Sequence, residues 1–254
     1  MTAYIDIFKR KEMKYCLDAD QRQILEAKIA NRMVVGEFGE SKIRSLYYDT
    51  PEFALIERSL DKPLYKEKLR LRIYGQPSPL VMSFVELKKK FKGVVYKRRV
   101  AMSLRAAQAF LDEGATYQEA CRAFPLLDKE AQERSLTPAA RQIAREIEFL
   151  MQRYGNLAPT MLISCDRKAY ADPEDGELRI TFDDHLACAY GAQDAFAAPE
   201  ALLIDPTRSI MEVKNAGPLP FWLVHALDRA NAYPQSLSKY GRAYMNLRKD
   251  DKSA

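Results

Sequence analysis

Residues 67–74 read EKLRLRIY, and residues 84–90 read FVELKKK. In the first stretch Arg70 and Arg72 alternate with Leu69, Leu71 and Ile73; in the second, Glu86 and Lys88 flank Leu87. Successive side chains of a strand point to opposite faces, so each stretch predicts a strand with one apolar face and one ionised face. The pattern recurs. Glu12 and Lys14 share a face, Arg179 leads to Thr181 and Asp183 between Leu178, Ile180 and Phe182, and Glu212 and Lys214 flank Val213. One such strand is an ordinary sheet edge with a wet face. Several in one chain predict a closed sheet with a charged lumen, and so many cations in a lumen require a polyanion to neutralise them. The inward set is Glu12, Lys14, Arg70, Arg72, Glu86, Lys88, Arg98, Arg167, Arg179 and Glu212. Lys89, Lys97 and Arg99 are assigned to the face opposite Lys88 and Arg98, where charges would keep a solvated edge from aggregating.

Working outward, residues 4–16 predict a first strand, and Asp18 or Asp20 caps a helix to about Met33 with Ile24, Leu25 and Ile29 buried. Residues 42–49 predict a strand, after which Asp49-Thr50-Pro51 opens a short helix. Residues 66–74, 81–91 and 94–102 form a meander, with turn formers at Gly75–Pro79 and Gly93 in the second link. Ser103 caps a helix to Asp112, Tyr117–Phe124 is a second, and Thr137-Pro138 starts a third that ends near Tyr154 with Gly155 beyond it. Strands return at 160–170, 177–184, 201–204 and 209–215, the first two joined by a turn at Asp172–Gly176. Helices from Pro218 to about Ala230 and from Ser238 to Arg248 close the chain. The expected fold class is α+β: an antiparallel β-barrel of about eight strands with helices packed outside. The expected organisation is one domain over residues 1–248, a helical insertion at about 103–155, and a flexible tail at 249–254.

Composition narrows the function. The hydrophobic fraction of 47% is enough for a core, and the net charge of +5 by itself describes no more than a mildly basic surface. Cys16, Cys121, Cys165 and Cys188 form no CxxC pair, and only His185 and His225 could join them, which argues against zinc. The N-terminal stretch MTAYIDIFKRKEMKY is too polar for a signal peptide, and no apolar run approaches the ~20 residues that span a bilayer. A reduced, cytoplasmic protein with free thiols is expected. There is no glycine-rich phosphate loop and no GxGxxG. No serine has a His/Asp set around it, and His225 sits in the apolar helix FWLVHAL, where packing explains it. What remains is chemistry by charge: arginine forks onto phosphate oxygens, lysine acts as a point charge, and carboxylates among them pair with cations or hold a divalent ion bridging phosphates.

Nine segments spread along residues 6–247 then fall into a familiar order: KRKEMKYCL, SLYYDTP, EKLRLRIYG, FVELKKK, YKRR, ISCDRKAY, LRITFDD, IMEVKN and SLSKYGRAY. In them the chain resembles the VTC (vacuolar transporter chaperone) catalytic domain, the polyphosphate polymerase branch of the triphosphate tunnel metalloenzymes. The resemblance implies a tunnel lined with Lys and Arg, and transfer of the γ-phosphoryl of ATP to a growing polyphosphate with Mn²⁺ or Mg²⁺. It assigns Lys14, Arg70, Arg72, Lys88, Arg167, Arg179 and Lys239 to nucleotide phosphates or product, with Arg98 and Ser238 beside them, and Glu212 to the metal. Glu12 and Glu86 join the phosphate-binding set as inward carboxylates. The superfamily's ExExK signature is not intact here, where residues 11–15 read KEMKY, and this weighs against a simple triphosphatase. ATP and polyphosphate are the implied partners, together with a membrane protein that the sequence does not reveal; nucleic acid is not expected. A hydrolase of triphosphates or polyphosphate in the same tunnel, and a non-catalytic polyphosphate-binding module, remain alternatives.

Overall fold

The computed structural model describes residues 11–174 and 177–250. The elements are, in chain order, β1 (Lys11–Leu17), α1 (Ala19–Ala30), β2 (Val34–Asp49), α2 (Ala54–Leu60), β3 (Tyr65–Tyr74), β4 (Met82–Phe91), β5 (Val94–Ser103), α3 (Leu104–Leu111), α4 (Tyr117–Ala123), α5 (Lys129–Ser135), α6 (Pro138–Tyr154), β6 (Ala158–Ala171), β7 (Arg179–Tyr190), β8 (Ala201–Leu202), β9 (Ser209–Asn215), α7 (Phe221–Arg229) and α8 (Lys239–Asp250). The strands hydrogen-bond in the order β1-β9-β7-β6-β2-β3-β4-β5, with β8 on β7. The β1–β9, β9–β7, β2–β3, β3–β4 and β4–β5 pairs are antiparallel. The fold is therefore α+β on an antiparallel sheet, as the alternating stretches predict. Part of the first predicted strand (residues 4–10), the tip of the Asp172–Gly176 turn and residues 251–254 of the tail lie outside the described residues.

The chain divides into two compact units. Unit 1 comprises the described residues of Met1–Ser41 with Cys165–Leu186 and Ile204–Ser238; unit 2 comprises Lys42–Ser164, Ala187–Leu203 and the described residues of Lys239–Ala254. Each has its own core on the apolar side of its strands. In unit 1, Tyr15, Leu17, Ile180, Phe182, Met211 and Val213 pack on Leu25 and Ile29 of α1 and Leu223 of α7. In unit 2, Leu69, Leu71, Ile73, Val85, Leu87, Val100 and Met102 pack on the α3–α6 helices through Phe110, Tyr117, Ile147 and Leu150. Each fully buried aliphatic or aromatic side chain contributes about 1.5–3 kcal/mol. That is how a strand whose other face is ionised can still fold.

The helix starts follow the sequence closely. Asp18 closes a capping box with Gln21, Ser103 caps α3, Thr116 caps α4 and Thr137 caps α6, whose end is Gly155 at φ 74°. Four expectations need correction. Ile24 is exposed, so the α1 stripe narrows to Leu25 and Ile29. Strand β2 begins at Val34 rather than Lys42. The helix after Pro51 starts only at Ala54, behind Phe53 at φ 60°. Its free N–H groups at Leu55 and Ile56 are taken by the carboxylate of Asp49, 2.8 and 3.0 Å away, so the cap comes from the end of the preceding strand. Helix α5, capped by Asp128, was not foreseen in KEAQERS, which has no apolar stripe. No helix among the described residues is long and apolar enough to cross a membrane.

Candidate functional site

In unit 2 the register fixes one ionised face. Arg70 stands opposite Tyr47 on one side and Glu86 on the other; Arg72 stands opposite Ser45 and Phe84, and Lys68 opposite Lys88. The β4–β5 hairpin turns through Lys92 and Gly93, both at positive φ (47° and 86°), the two-residue geometry that matches strand twist. It pairs Phe91 with Val94, hence Lys88 with Lys97 and Glu86 with Arg99. Residues directly opposite each other in an antiparallel pair share a face. The assignment of Arg98 inward and Lys97 and Arg99 outward is therefore reversed. Arg98 follows Val100 and Met102 onto the helix-packed side, where it lies 3.6 Å from Glu146 of α6; Lys89 donates to the same carboxylate at 3.1 Å. Arg99 instead lies over the Phe84 ring, 4.7 Å from its centroid.

Glu86 is the centre of this face, with its side chain 1% exposed. Its Oε2 accepts from Arg70 Nε at 2.6 Å and lies 3.9 Å from Arg72 Nε, while Lys97 Nζ is 2.5 Å from Oε1. Burial works against the carboxylate, but Arg70, Arg72 and Lys97 outweigh it and hold its pKa at about 2. Burial pulls Lys97 down to about 8, with Arg70 and Arg72 adding to the effect and Glu86 opposing it. Arg70, although buried, is held more firmly charged than usual by Tyr47 and Glu86. Arg70, Arg72, Lys68, Lys88, Lys97 and Arg99 thus share a face with one carboxylate, a surplus of positive charge suited to phosphate oxygens. Lys239 is the first residue of α8, Ser238 immediately precedes it, and the next residue, Tyr240, stacks on Tyr47.

Unit 1 presents a different balance. Lys14 is opposite Glu212 and Glu12 opposite Lys214 in β1–β9; Thr181 is opposite Glu212 and Arg179 opposite Lys214 in β7–β9. Lys14 Nζ lies 3.3 Å from Glu12 Oε1 and 3.5 Å from Glu212 Oε1. Glu212 Oε2 lies 3.5 Å from Lys214 Nζ and 3.7 Å from Arg167 Nη2. Arg167 forks onto Asp183 at 2.5 and 2.6 Å, and the Asp183 side chain is fully buried. Asp183 and Glu212 therefore strengthen the Arg167 charge against the cost of burial. Lys14, Arg167, Arg179 and Lys214 here face Glu12, Asp183 and Glu212, and the charges nearly cancel. Lys14, Glu12, Arg179 and Glu212 share one strand face, as their alternation predicts, and Arg167 meets that face through Asp183.

The profile of the VTC domain family matches residues 9–248. The chain belongs to the VTC domain family. That membership supports a triphosphate-binding domain of a phosphoryl-transfer family. Among solved structures, this VTC domain is similar to a Vibrio parahaemolyticus protein described as a candidate adenylate cyclase (10% identity, 92% of this chain and 97% of that one, TM-score 0.43). It is also similar to proteins from Pyrococcus horikoshii (9%, 93% and 99%, 0.39) and Pyrococcus furiosus (8%, 91% and 99%, 0.41). No curated protein matches the VTC chain. Lys97, Asp183 and the Tyr47–Tyr240 pair belong to these faces and are missing from the predicted set; counting residues across the Lys92–Gly93 turn would have found Lys97.

Proposed function

We propose that the protein is a polyphosphate polymerase that transfers the γ-phosphoryl of ATP to the end of a polyphosphate chain, within one catalytic domain over residues 1–248. The observation that carries this is the unit 2 face, where Arg70, Arg72 and Lys97 converge on the single carboxylate of Glu86 and Lys68 and Lys88 add further charge. Phosphoryl transfer asks mainly for positioning and charge neutralisation, and this face requires no covalent nucleophile. Arg70, Arg72, Lys88 and Lys97 bind phosphate oxygens in unit 2; Lys14, Arg167 and Arg179 do so in unit 1. The terminal oxygen of the acceptor forms the new P–O bond, the bridge between the β- and γ-phosphorus breaks, and ADP leaves with the bridging oxygen.

A divalent ion fits only in part. Among the described residues no three His, Cys, Asp or Glu side chains gather into a protein cage. Mg²⁺ commonly takes one or two protein carboxylates and completes its shell with water and phosphate oxygens. Glu212 is the carboxylate for that mode, and Lys14, Lys214 and Arg167, 3.5–3.7 Å from it, would compete with the ion. A Mg²⁺ or Mn²⁺ ion held there would offset phosphate charge.

The decisive experiment incubates the purified chain with ATP and Mn²⁺ and runs the products on a urea gel. Long-chain polyphosphate is expected. Orthophosphate alone would replace polymerase with hydrolase, and tight polyphosphate binding without turnover would leave a binding module.

A further inference from the structure

Tyr47 lies at the edge of the unit 2 cation face and is 7% exposed. Its hydroxyl accepts from Arg70 Nη1 at 3.3 Å, while Arg70 Nε is bound to Glu86. The guanidinium is thus held from two sides, at Nε by Glu86 and at Nη1 by Tyr47. Its remaining N–H groups keep a fixed direction. The Tyr47 ring is fixed in turn by a parallel stack on Tyr240, with centroids 4.3 Å apart and planes 11° from parallel. Tyr240 is anchored by its hydroxyl, which donates to Asp49 at 2.9 Å, and Asp49 is the carboxylate that caps α2. Thr160 lies 3.2 Å from the Tyr240 hydroxyl and donates to the Tyr47 carbonyl at 3.1 Å. A stack, a buried carboxylate and a helix end therefore support one phenol whose polar contact is an arginine of the proposed phosphate site.

We propose that Tyr47 is the positioning residue of this anion site: its phenol fixes the Arg70 guanidinium for a triphosphate, and the bound triphosphate keeps that phenol protonated. The proposal rests on the phosphate-binding reading of the unit 2 face. The charged and titratable groups around the phenol are Lys68, Arg70 and Arg72 of β3, Glu86 of β4 beyond Arg70, Lys97 of β5 against Glu86, Tyr240 of α8 and, beyond Tyr240, Asp49 of β2. Burial opposes ionisation of Tyr47, but Arg70, Arg72 and Lys68 outweigh it and bring the phenol to about 8. Once ionised, the phenolate neutralises the cations that a triphosphate needs. Phenolate and triphosphate therefore compete for the same positive charge, and each disfavours the other.

Inorganic tripolyphosphate without metal is the probe, with binding followed by calorimetry and tyrosinate by ultraviolet absorbance between about pH 7 and about pH 9.5, a range that brackets the shifted phenol. One of the 14 tyrosines should ionise near the lower end, and tripolyphosphate should move that midpoint upward. Wild-type affinity should fall by up to about tenfold per pH unit above the midpoint. Tyr47→Phe keeps the stacked ring. It should lose the early tyrosinate signal, bind about fivefold more weakly at pH 7, and show a shallower fall, the remainder being the loss of the Lys97 charge. Wild-type affinity and an unchanged pH profile in Tyr47→Phe would overturn the proposal while leaving the phosphate site intact. A wild-type chain that binds no tripolyphosphate would remove both. The wild-type absorbance titration, with and without tripolyphosphate, decides the matter without a variant: a midpoint that does not move counts against Tyr47.

Discussion

The two units are built alike and charged differently. Each lays strands over its own apolar core and turns an ionised face the other way. In unit 2 one buried carboxylate meets a surplus of Arg and Lys; in unit 1 three carboxylates and four cations nearly balance. A balanced buried pair is a structural commitment, because removing one partner strands the other. A surplus is a different state, in which neighbouring cations work against one another.

Truncation should break the symmetry most sharply. Arg70→Ala is expected to lower turnover by about 10³-fold, the scale of losing a transition-state charge contact. It should cost less than about 1 kcal/mol of stability, because Glu86 keeps Arg72 and Lys97 and the repulsion among the cations is relieved. Turnover assays beside urea melts check this; normal turnover with a large fall in stability would reverse the assignment. Arg167→Ala in unit 1 should show the opposite balance on stability, a loss of about 3 kcal/mol, since the fully buried Asp183 loses its fork. A melt unchanged from wild type would show that unit 1 is no more structural than unit 2.

Acid sharpens the comparison. Glu86 is held at about 2 in the fold, below its ordinary carboxylate value. Its contribution is therefore present above the unfolded value and is lost as pH falls toward about 2. The amount is roughly 3 kcal/mol. Urea midpoints measured from neutral pH down to about pH 3 should fall less steeply in Glu86→Gln than in wild type; parallel curves would remove Glu86 from the ledger. The smallest effect belongs to Arg98, half exposed beside Glu146. Arg98→Ala should change turnover less than about twofold, the scale of an exposed ion pair. Lys97→Met should lower tripolyphosphate affinity well beyond that, as measured by calorimetry. Equal effects at the two neighbours would undo the register argument.

Much of this was legible before any coordinates. Arg70, Arg72, Glu86, Lys14 and Glu212 alternate with residues large and apolar enough to demand a core, so their facing follows from period two alone. Ser103, Thr137 and Gly155 announce helix ends by local chemistry that tertiary contacts do not override. What was hidden depends on contacts far apart in sequence. The facing of Lys97, Arg98 and Arg99 is ambiguous within YKRR and is settled only by the partner strand. The tie between Tyr240 and Asp49 spans most of the chain, and Asp49 caps a helix it does not adjoin. Helix α5 has neither an apolar stripe nor a strong stop, and rests on Asp128 and the packing of Ala131 and Ser135.

The Lys92–Gly93 link acts as a parity switch for everything downstream in its strand. Lengthening it by one residue would slide β5 half a repeat and trade its two sets of side chains. Arg98 would arrive where Arg99 now stands opposite Glu86, and Val100 and Met102 would be pushed from oil into the salt. A chain lengthened there would keep every alternating motif, yet have lost both its core seam and the cation cluster around Glu86.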